Sequence, residues 1–424
     1  MVFLVVMVLL SLGLGLPIAL ALSVGPILFI ALTGVAPLTV VPQQLIYGAN
    51  TESFLAVPFF MLAGTLMEAS GTSRRLVAFA NYVVGWVRGG LGIADIVASI
   101  IFAGVSGSAA ADTAAIGSAI IPGLLKSGYE RPAAASLQAA AGSMGMLFPP
   151  SVVMIIMGTV IGVSIARLFA ASIIPGLLMG VSYMIVVHVL ARRRGYPCGP
   201  RPDLRSGLLV LRESILALMA PAVIVVGLLA GVFTPTEAGV VASVYVLVIG
   251  MFVYRELKPS DLPRVMLMAV ERTATVLLVV GASSLLGWVF VEEEAAGAIA
   301  GGITGLSHNP LVVMILIALI LVVVHFFIEH TPTIVAVVPL FLPLVSELNI
   351  DKVYFAMMVL INSALAQITP PIGLTLLTAS SIAGVRIEQM ARPVLPFVIV
   401  AVVDLLLVIF FPELSLALPR LLFH

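Results

Sequence analysis

The segment Ala141-Gly142-Ser143-Met144-Gly145-Met146-Leu147-Phe148-Pro149-Pro150-Ser151 breaks a charge-poor apolar run, 132–160, at a pair of prolines. A second pair, in Ile368-Thr369-Pro370-Pro371-Ile372-Gly373-Leu374, breaks the run 353–383 at a position 221 residues further on. Proline lacks an N–H and clashes with the carbonyl one turn back, so each pair frees backbone carbonyls. A single proline in a membrane helix is commonly a harmless kink. Paired prolines at matched positions point instead to unwound segments, which bilayer depth tolerates only where they are buried in protein or line a wet cavity. Pro122 and Pro175 recur at the same offset, as Pro343 and Pro396. The chain repeats itself.

Composition says in what solvent. Of 424 residues, 61% are apolar and 9% charged, against about 45–50% and ~25% in soluble domains. An ordinary soluble enzyme is excluded. A net charge of zero gives no bulk attraction to nucleic acid. The single cysteine, Cys198, excludes an internal disulfide framework and a CxxC metal or redox site. Ala19-Leu20-Ala21 looks like a signal-peptidase site, but no basic residue precedes it, so a first membrane span is expected.

A bilayer core of ~30 Å needs about 20 apolar residues per helix. Such runs fall at 1–22, 24–40, 53–70, 132–160, 168–191, 214–231, 237–254, 265–290, 353–383 and 393–411. That makes about ten transmembrane helices in an all-α polytopic membrane protein. The stretches 93–125 and 310–345 are each interrupted midway, by Gly104-Val105-Ser106-Gly107-Ser108 and by Glu329-His330-Thr331-Pro332-Thr333. They are expected to be re-entrant helical hairpins.

With 192–212 cytoplasmic, seventeen lysines and arginines fall on that side, and only Arg167, Lys352 and Arg420 fall opposite. This obeys the positive-inside rule and places both termini on the periplasmic side. Five crossings per half is odd, so the repeats, 1–191 and 214–424, are expected to insert with inverted topology. The Arg-rich segment 192–213 is then an exposed cytoplasmic linker. Inverted repeats with matched broken helices point to a secondary transporter with a midplane site.

Few residues in these runs can carry chemistry. Asp112 is ionisable at bilayer depth and therefore a functional candidate. Asp95 is expected near the cytoplasmic interface, and Asp404 is expected to pair with a polar partner on another helix. Glu329 takes the place in the second tip that Ser108 takes in the first, again 221 residues on. It is the foremost candidate for a cargo-contacting carboxylate, the alternative being a residue at the hairpin mouth paired with His325 or His330. No G-x-x-x-x-G-K-[ST] loop or G-x-S-x-G elbow is present. His325 and His330 lie five residues apart, ~140° around a helix, whereas zinc pairs sit four apart. No transition-metal site, no cofactor and no enzyme activity are expected. No lysine or arginine occurs in 90–125, 132–166 or 310–351. An anionic cargo must then be met by helix dipoles, hydroxyls and co-bound cations, with sodium as the coupling ion and proton coupling through Asp112 or Glu329 as the alternative.

Several motifs together resemble a known family. They are Pro58-Phe59-Phe60-Met61-Leu62-Ala63-Gly64, Phe102-Ala103-Gly104-Val105-Ser106-Gly107-Ser108, Thr234-Pro235-Thr236-Glu237-Ala238 and the two proline-pair segments. Over nearly its whole length the chain is similar to the large membrane subunit of the tripartite ATP-independent periplasmic (TRAP) transporters, the DctM-like family. It departs from the family pattern at Glu329-His330-Thr331, where Asp-Pro-Thr is common, and at Thr375, where asparagine is frequent.

The resemblance implies an ion-transporter-superfamily fold working as an elevator. It implies a sodium-driven importer of organic acids in the bacterial inner membrane. The implied partners are a DctP-like periplasmic binding protein and a DctQ-like four-helix membrane subunit. Carried over, the first cation site uses Ser106, Gly107, Asp112, Gly142, Ser143 and Met146. The second uses Thr331, Thr333, Gln367, Thr369, Gly373 and Thr375. The cargo would lie between Ser106, Ser108, Ser151 and Glu329. A stand-alone sodium- or proton-coupled transporter of the same architecture, needing no binding protein, is the alternative.

Overall fold

The computed structural model describes residues 2–199, 201–370 and 373–423. Pro200 of the linker, Pro371 and Ile372 of the second proline segment, and the end residues Met1 and His424 lie outside them. Among the described residues helix is the only regular secondary structure, apart from one isolated bridge between Arg88 and Cys198.

Seven helices are long and apolar enough to cross a membrane among the described residues, fewer than the ten crossings expected. They include Ile165–Arg194, Pro259–Glu292 and Ile387–Phe410. The rest of the apolar sequence folds as shorter helices, because its hydropathy is uniform while its backbone is not. The run expected to cross at 1–22 ends at Gly13, and a new helix, Ile18–Thr33, begins after Gly15, which has φ +77°, and Pro17. At 12 and 16 residues these helices reach only ~18 and ~24 Å. Helices Val40–Ala49, Ala295–Thr304 and Glu413–Leu422 were also not expected.

The linker is shorter and better anchored than its composition suggests. Helix continues to Arg194 and resumes at Leu204. In between, Gly199 N–H donates to Gly85 O (3.0 Å) and buried Tyr196 stacks on Tyr129 with ring centroids 3.8 Å apart.

Both interrupted stretches turn on particular backbone positions. Helix Gly90–Ser106 ends at Gly107 in a left-handed conformation (φ +61°), Ser108 is extended, and Ala109–Lys126 starts at once. In the second stretch Pro310–His325 stops and a short turn, His330–Pro332, opens behind Glu329. Segment 132–160 is Arg131–Ser143, a short tight turn Met144–Met146, a non-helical stretch, and Val152–Ile161. Segment 353–383 is Lys352–Gln367 followed by Leu374–Ala383. The two short second limbs have ten residues each and both end on a left-handed glycine, Gly162 and Gly384.

These broken helices form the centre. Fourteen of the sixteen residues of Lys352–Gln367 are buried, so this helix has no face left for lipid. Every residue from Ala134 to Ser143 is buried, and most are alanine, glycine or serine. Small side chains let helix backbones approach closely, the usual solution where lipid removes the hydrophobic drive to associate. The halves are also bonded across this layer: Arg131 Nη1 donates to Ala383 O (3.0 Å) and Ser136 Oγ to Met390 O (3.3 Å). Helix Leu204–Leu229, by contrast, carries exposed Leu208, Leu209, Ile215, Val223 and Val226, as a lipid-facing scaffold helix would.

Candidate functional site

Both hairpin tips open onto one cavity of about 590 Å³, within the ~300–1,000 Å³ typical of ligand sites. Gly107, Ser108, Ala109 and Ala110 of the first tip line it, as do Val152, Val153 and Ile156 beyond the first proline pair. Glu329, His330 and Thr331 of the second tip face it, together with Gln367, Leu374 and Leu377 of the second broken helix. The outer wall comes from Pro17–Ala19 and from Thr275, Val276, Leu278 and Val279 of the long helix Leu262–Glu292.

The first tip is held against the first break by close backbone contact. Val152 N–H donates to Gly107 O (3.3 Å). A Cβ on Gly107 would lie 2.9 Å from both Pro150 O and Val152 N, so only glycine fits, quite apart from its positive φ. Ser108 lines the cavity, whereas the other two serines expected around cargo do not. Ser106 is turned away, its Oγ–H donating to Asp112 Oδ1 and its Oγ accepting from Ser108 N–H (3.2 Å). Ser151 is fully buried and caps its helix, accepting from Met154 N–H (3.4 Å). A capping oxygen is already occupied by the helix's own orphan N–H.

Asp112 is fully buried, and its Oδ2 has no hydrogen-bond partner among the described residues. It stands in the first turn of Ala109–Lys126, where the helix dipole favours a negative charge. Gly145 brings the broken helix directly against that Oδ2, and Gly142 does the same against Thr113. Ser143 and Met146 are buried in the same layer, with Ser143 Oγ–H donating to Ala140 O (2.8 Å). A buried carboxylate with one oxygen bonded and one bare, beside close-packed backbone, is a donor set suited to a hard cation such as sodium.

At the second tip, Glu329 Oε1 lies 3.1 Å from His330 Nδ1, so the alternative of a pairing with His330 is realised while Glu329 still lines the cavity. His330 Nδ1 is also 2.8 Å from the Gln367 amide nitrogen. Gln367 O accepts from Thr375 Oγ–H (2.7 Å), and Gly373, at φ +33°, passes close to the same carbonyl. Thr333 Oγ–H donates to Glu329 O (2.9 Å) and Thr369 Oγ–H to Leu365 O (2.7 Å); Thr331 is buried at the cavity wall. Thr331, Gln367, Gly373 and Thr375 thus cluster around one tip, while Thr333 and Thr369 each donate to a carbonyl four residues back and keep their hydroxyl lone pairs.

Three buried polar groups fall elsewhere. Asp95 is fully buried within the protein, and the Gln138 amide faces it; with the amide oxygen and nitrogen exchanged, the nitrogen donates to the Asp95 oxygens at 2.6 and 3.2 Å. An acidic residue and an amide in consecutive hairpin and broken-helix runs were the only sequence signal for this pair. His325 Nδ1 meets Asn362 Oδ1 (3.1 Å), and Asn362 donates to Ala318 O (2.9 Å). Asp404 takes the helix partner expected of it, accepting from Ser182 Oγ–H (2.8 Å). Among the described residues no group of three or more His, Cys, Asp or Glu could hold a metal ion.

Long apolar helices around a core of broken ones, with a cavity between two interrupted tips, define a multi-pass membrane permease. The family model of the tripartite ATP-independent periplasmic transporter, DctM component, matches residues 3–414, and the chain belongs to that family. It is 36% identical over 368 residues to the C4-dicarboxylate TRAP transporter large permease protein DctM of Pseudomonas aeruginosa, covering 87% of this chain and 86% of that one. To the sialic acid TRAP transporter large permease protein SiaM of Vibrio cholerae it is 36% identical over 393 residues, 93% and 92% of the two chains. To the 2,3-diketo-L-gulonate TRAP transporter large permease protein YiaN of Escherichia coli it is 35% identical over 375 residues, 88% of each. The chain is therefore a transporter large permease of the inner membrane and not an enzyme.

Proposed function

We propose that this permease imports an organic acid by sodium symport, taking its cargo from a periplasmic binding protein and working with a small four-helix membrane subunit. The observation that carries the reading is a cavity lined by both hairpin tips, with Ser108 on one side and Glu329 on the other. Cargo in that space touches the tips, and the two cation sites lie behind them, around Asp112 and around Gln367. Bound sodium would neutralise buried acceptors and brace the tips on the broken helices, which couples ion occupancy to cargo affinity. Both termini lie on the periplasmic face in this reading.

The moving body would be the hairpins and broken helices together. They are joined by Val152 N–H to Gly107 O, Thr375 to Gln367 O and Arg131 to Ala383 O. The long helix Leu262–Glu292 would stay with the scaffold, fixed by Arg272 to Glu68 (3.0 Å) and Thr65 (3.3 Å). Moving one net positive charge inward gains about 2.3 kcal/mol per 100 mV, so symport with excess sodium is electrogenic.

The test is uptake of a labelled carboxylate into vesicles holding the permease and its small partner, with the cognate binding protein added. Uptake should require sodium and the binding protein and should respond to membrane potential. Full uptake on a proton gradient without sodium refutes the coupling. Full uptake without the binding protein favours the stand-alone transporter.

A further inference from the structure

Asp95 belongs to neither cation site and does not line the cavity between the tips. Along helix Gly90–Ser106 it lies about 8 Å from the start and about 16 Å from the tip. Its side chain is fully buried, and an ionised carboxylate so placed needs an opposite charge beside it. None is at hand. Every described lysine and arginine on the helices packed against this limb is exposed or, like Arg75 with Glu256, already paired. Of the buried or half-buried titratable groups on and beside those helices, Glu68, Tyr82, Asp112, Tyr129, Tyr183 and His188, none bonds to Asp95.

What Asp95 does touch is the Gln138 amide, with one terminal atom 2.6 Å from Oδ1 and 3.2 Å from Oδ2. An amide nitrogen there donates to an ionised Asp95, and an amide oxygen there accepts from a protonated one, so turning the amide over serves either state. The spacing favours the acid. O–H···O bonds run at about 2.5–3.0 Å and N–H···O bonds at about 2.7–3.2 Å. A hard cation holds its oxygens at about 2.3–2.6 Å, so two of them at right angles stand over about 3 Å apart. The contact fits a proton and not a metal ion. Two hydroxyls lie one turn to either side. Ser99 Oγ follows Asp95 on its own helix, and Tyr129 Oη lies against Gly92, where a Cβ would meet it at 3.0 Å. Both are buried and have no hydrogen-bond partner among the described residues, although an anion would draw such donors to itself.

We propose that Asp95 is a proton-binding site of the moving body, occupied in this conformation and loaded from the cytoplasmic side, so that uptake responds to inside pH. Tyr129 and Leu137 line a cleft that also carries Arg194 and Arg392, on the face that the charge count makes cytoplasmic. The half of the hairpin nearer that face holds Asp95. As an acid, Asp95 crosses the bilayer neutral. Stripped of its proton, the moving body would carry an uncompensated charge through it. The bound proton stands apart from the transport reading; only its effect on uptake rests on that reading.

The test has two arms, both on the full-length chain with its small membrane subunit. In the first, the infrared C=O stretch of protonated carboxyls is recorded at neutral pH. Asp95→Asn, which keeps the shape, should lose one such band, and an unaltered spectrum overturns the proposal. Should that variant fail to fold, Gln138→Leu decides: it removes the acceptor and must shift the band, and an unshifted band overturns the proposal equally. The second arm follows sodium-driven uptake in the complete three-part vesicles at fixed sodium. Raising inside pH from about 7 to about 9 should slow the wild type at least about threefold, and the same change outside should not. Asp95→Asn, neutral at every pH, should lose that slope. A wild type indifferent to inside pH, equal sensitivity on the two sides, or an unchanged slope in Asp95→Asn overturns the proposal. Absence of uptake at every pH with the infrared band intact would instead sink the permease reading.

Discussion

Gly107→Ala tests the contact on which the cavity depends, and its cost can be worked out in two parts. Gly107 has φ +61°, and an alanine held there costs about 1–2 kcal/mol in backbone strain. The added Cβ also meets Pro150 O and Val152 N at 2.9 Å and Ser151 Cα at 3.0 Å, all backbone atoms that cannot swing aside. Forcing such a contact costs about 1–3 kcal/mol more. A matched control is Gly162→Ala: Gly162 has φ +70° but nothing within 4 Å of its Cβ position, so it carries only the strain. Loss of glycine's unfolded-state freedom returns about 0.4–1 kcal/mol to both variants. The net expectation is roughly 0.5–1.5 kcal/mol for Gly162→Ala and roughly 2–4 kcal/mol for Gly107→Ala.

The assay is thermal unfolding of the purified chain in one detergent, paired with sodium-driven uptake normalised to folded protein. Gly107→Ala should melt several degrees below Gly162→Ala and transport less per folded molecule, because the lifted tip moves Ser108 and Ala109 at the cavity wall. Equal melting points for the two alanines would refute the close approach of the tip to the first break. With it would go the argument that this contact shapes the cavity.

Asp112→Asn preserves shape and the hydroxyl contact of Ser106 while removing the buried charge. Half-saturating sodium for uptake should rise at least about tenfold, since an opposite charge at ~4 Å is worth up to about 4 kcal/mol near a protein surface. A changed melting point with unaltered sodium dependence would make Asp112 structural only. Ser182→Ala removes the donor to Asp404, which does not line the cavity. It should destabilise by about 1–3 kcal/mol, read as a lower melting temperature, with uptake per folded molecule retained; an unchanged melting point would show that the bond carries no stability.

Composition, the charge count and the two proline pairs determined that this is a helical membrane protein with interrupted elements. The bilayer permits few alternatives to an apolar helix, and proline cannot continue one. The tip residues Gly107–Ser108 and Glu329–Thr331 were legible for the same reason: polar and flexible residues stand out in an apolar run. Helix ends were not. The break at residues 14–17 and the helices Ala295–Thr304 and Glu413–Leu422 lie in sequence whose hydropathy hardly changes, so backbone conformation and packing set them.

What only the tertiary structure decided is which polar groups remain free. Ser106, Ser108 and Ser151 are equivalent hydroxyls in the sequence. Folding gives the first to Asp112, the third to a helix start, and leaves only the second on the cavity. Asp95 and Asp112 lie on the two limbs of one hairpin, yet Gln138 covers both oxygens of the first while one oxygen of the second stays bare. These assignments follow from hydrogen bonds between segments far apart in the chain. A side chain's type fixes what it can bond, but its neighbours in space fix what it has left to offer a ligand.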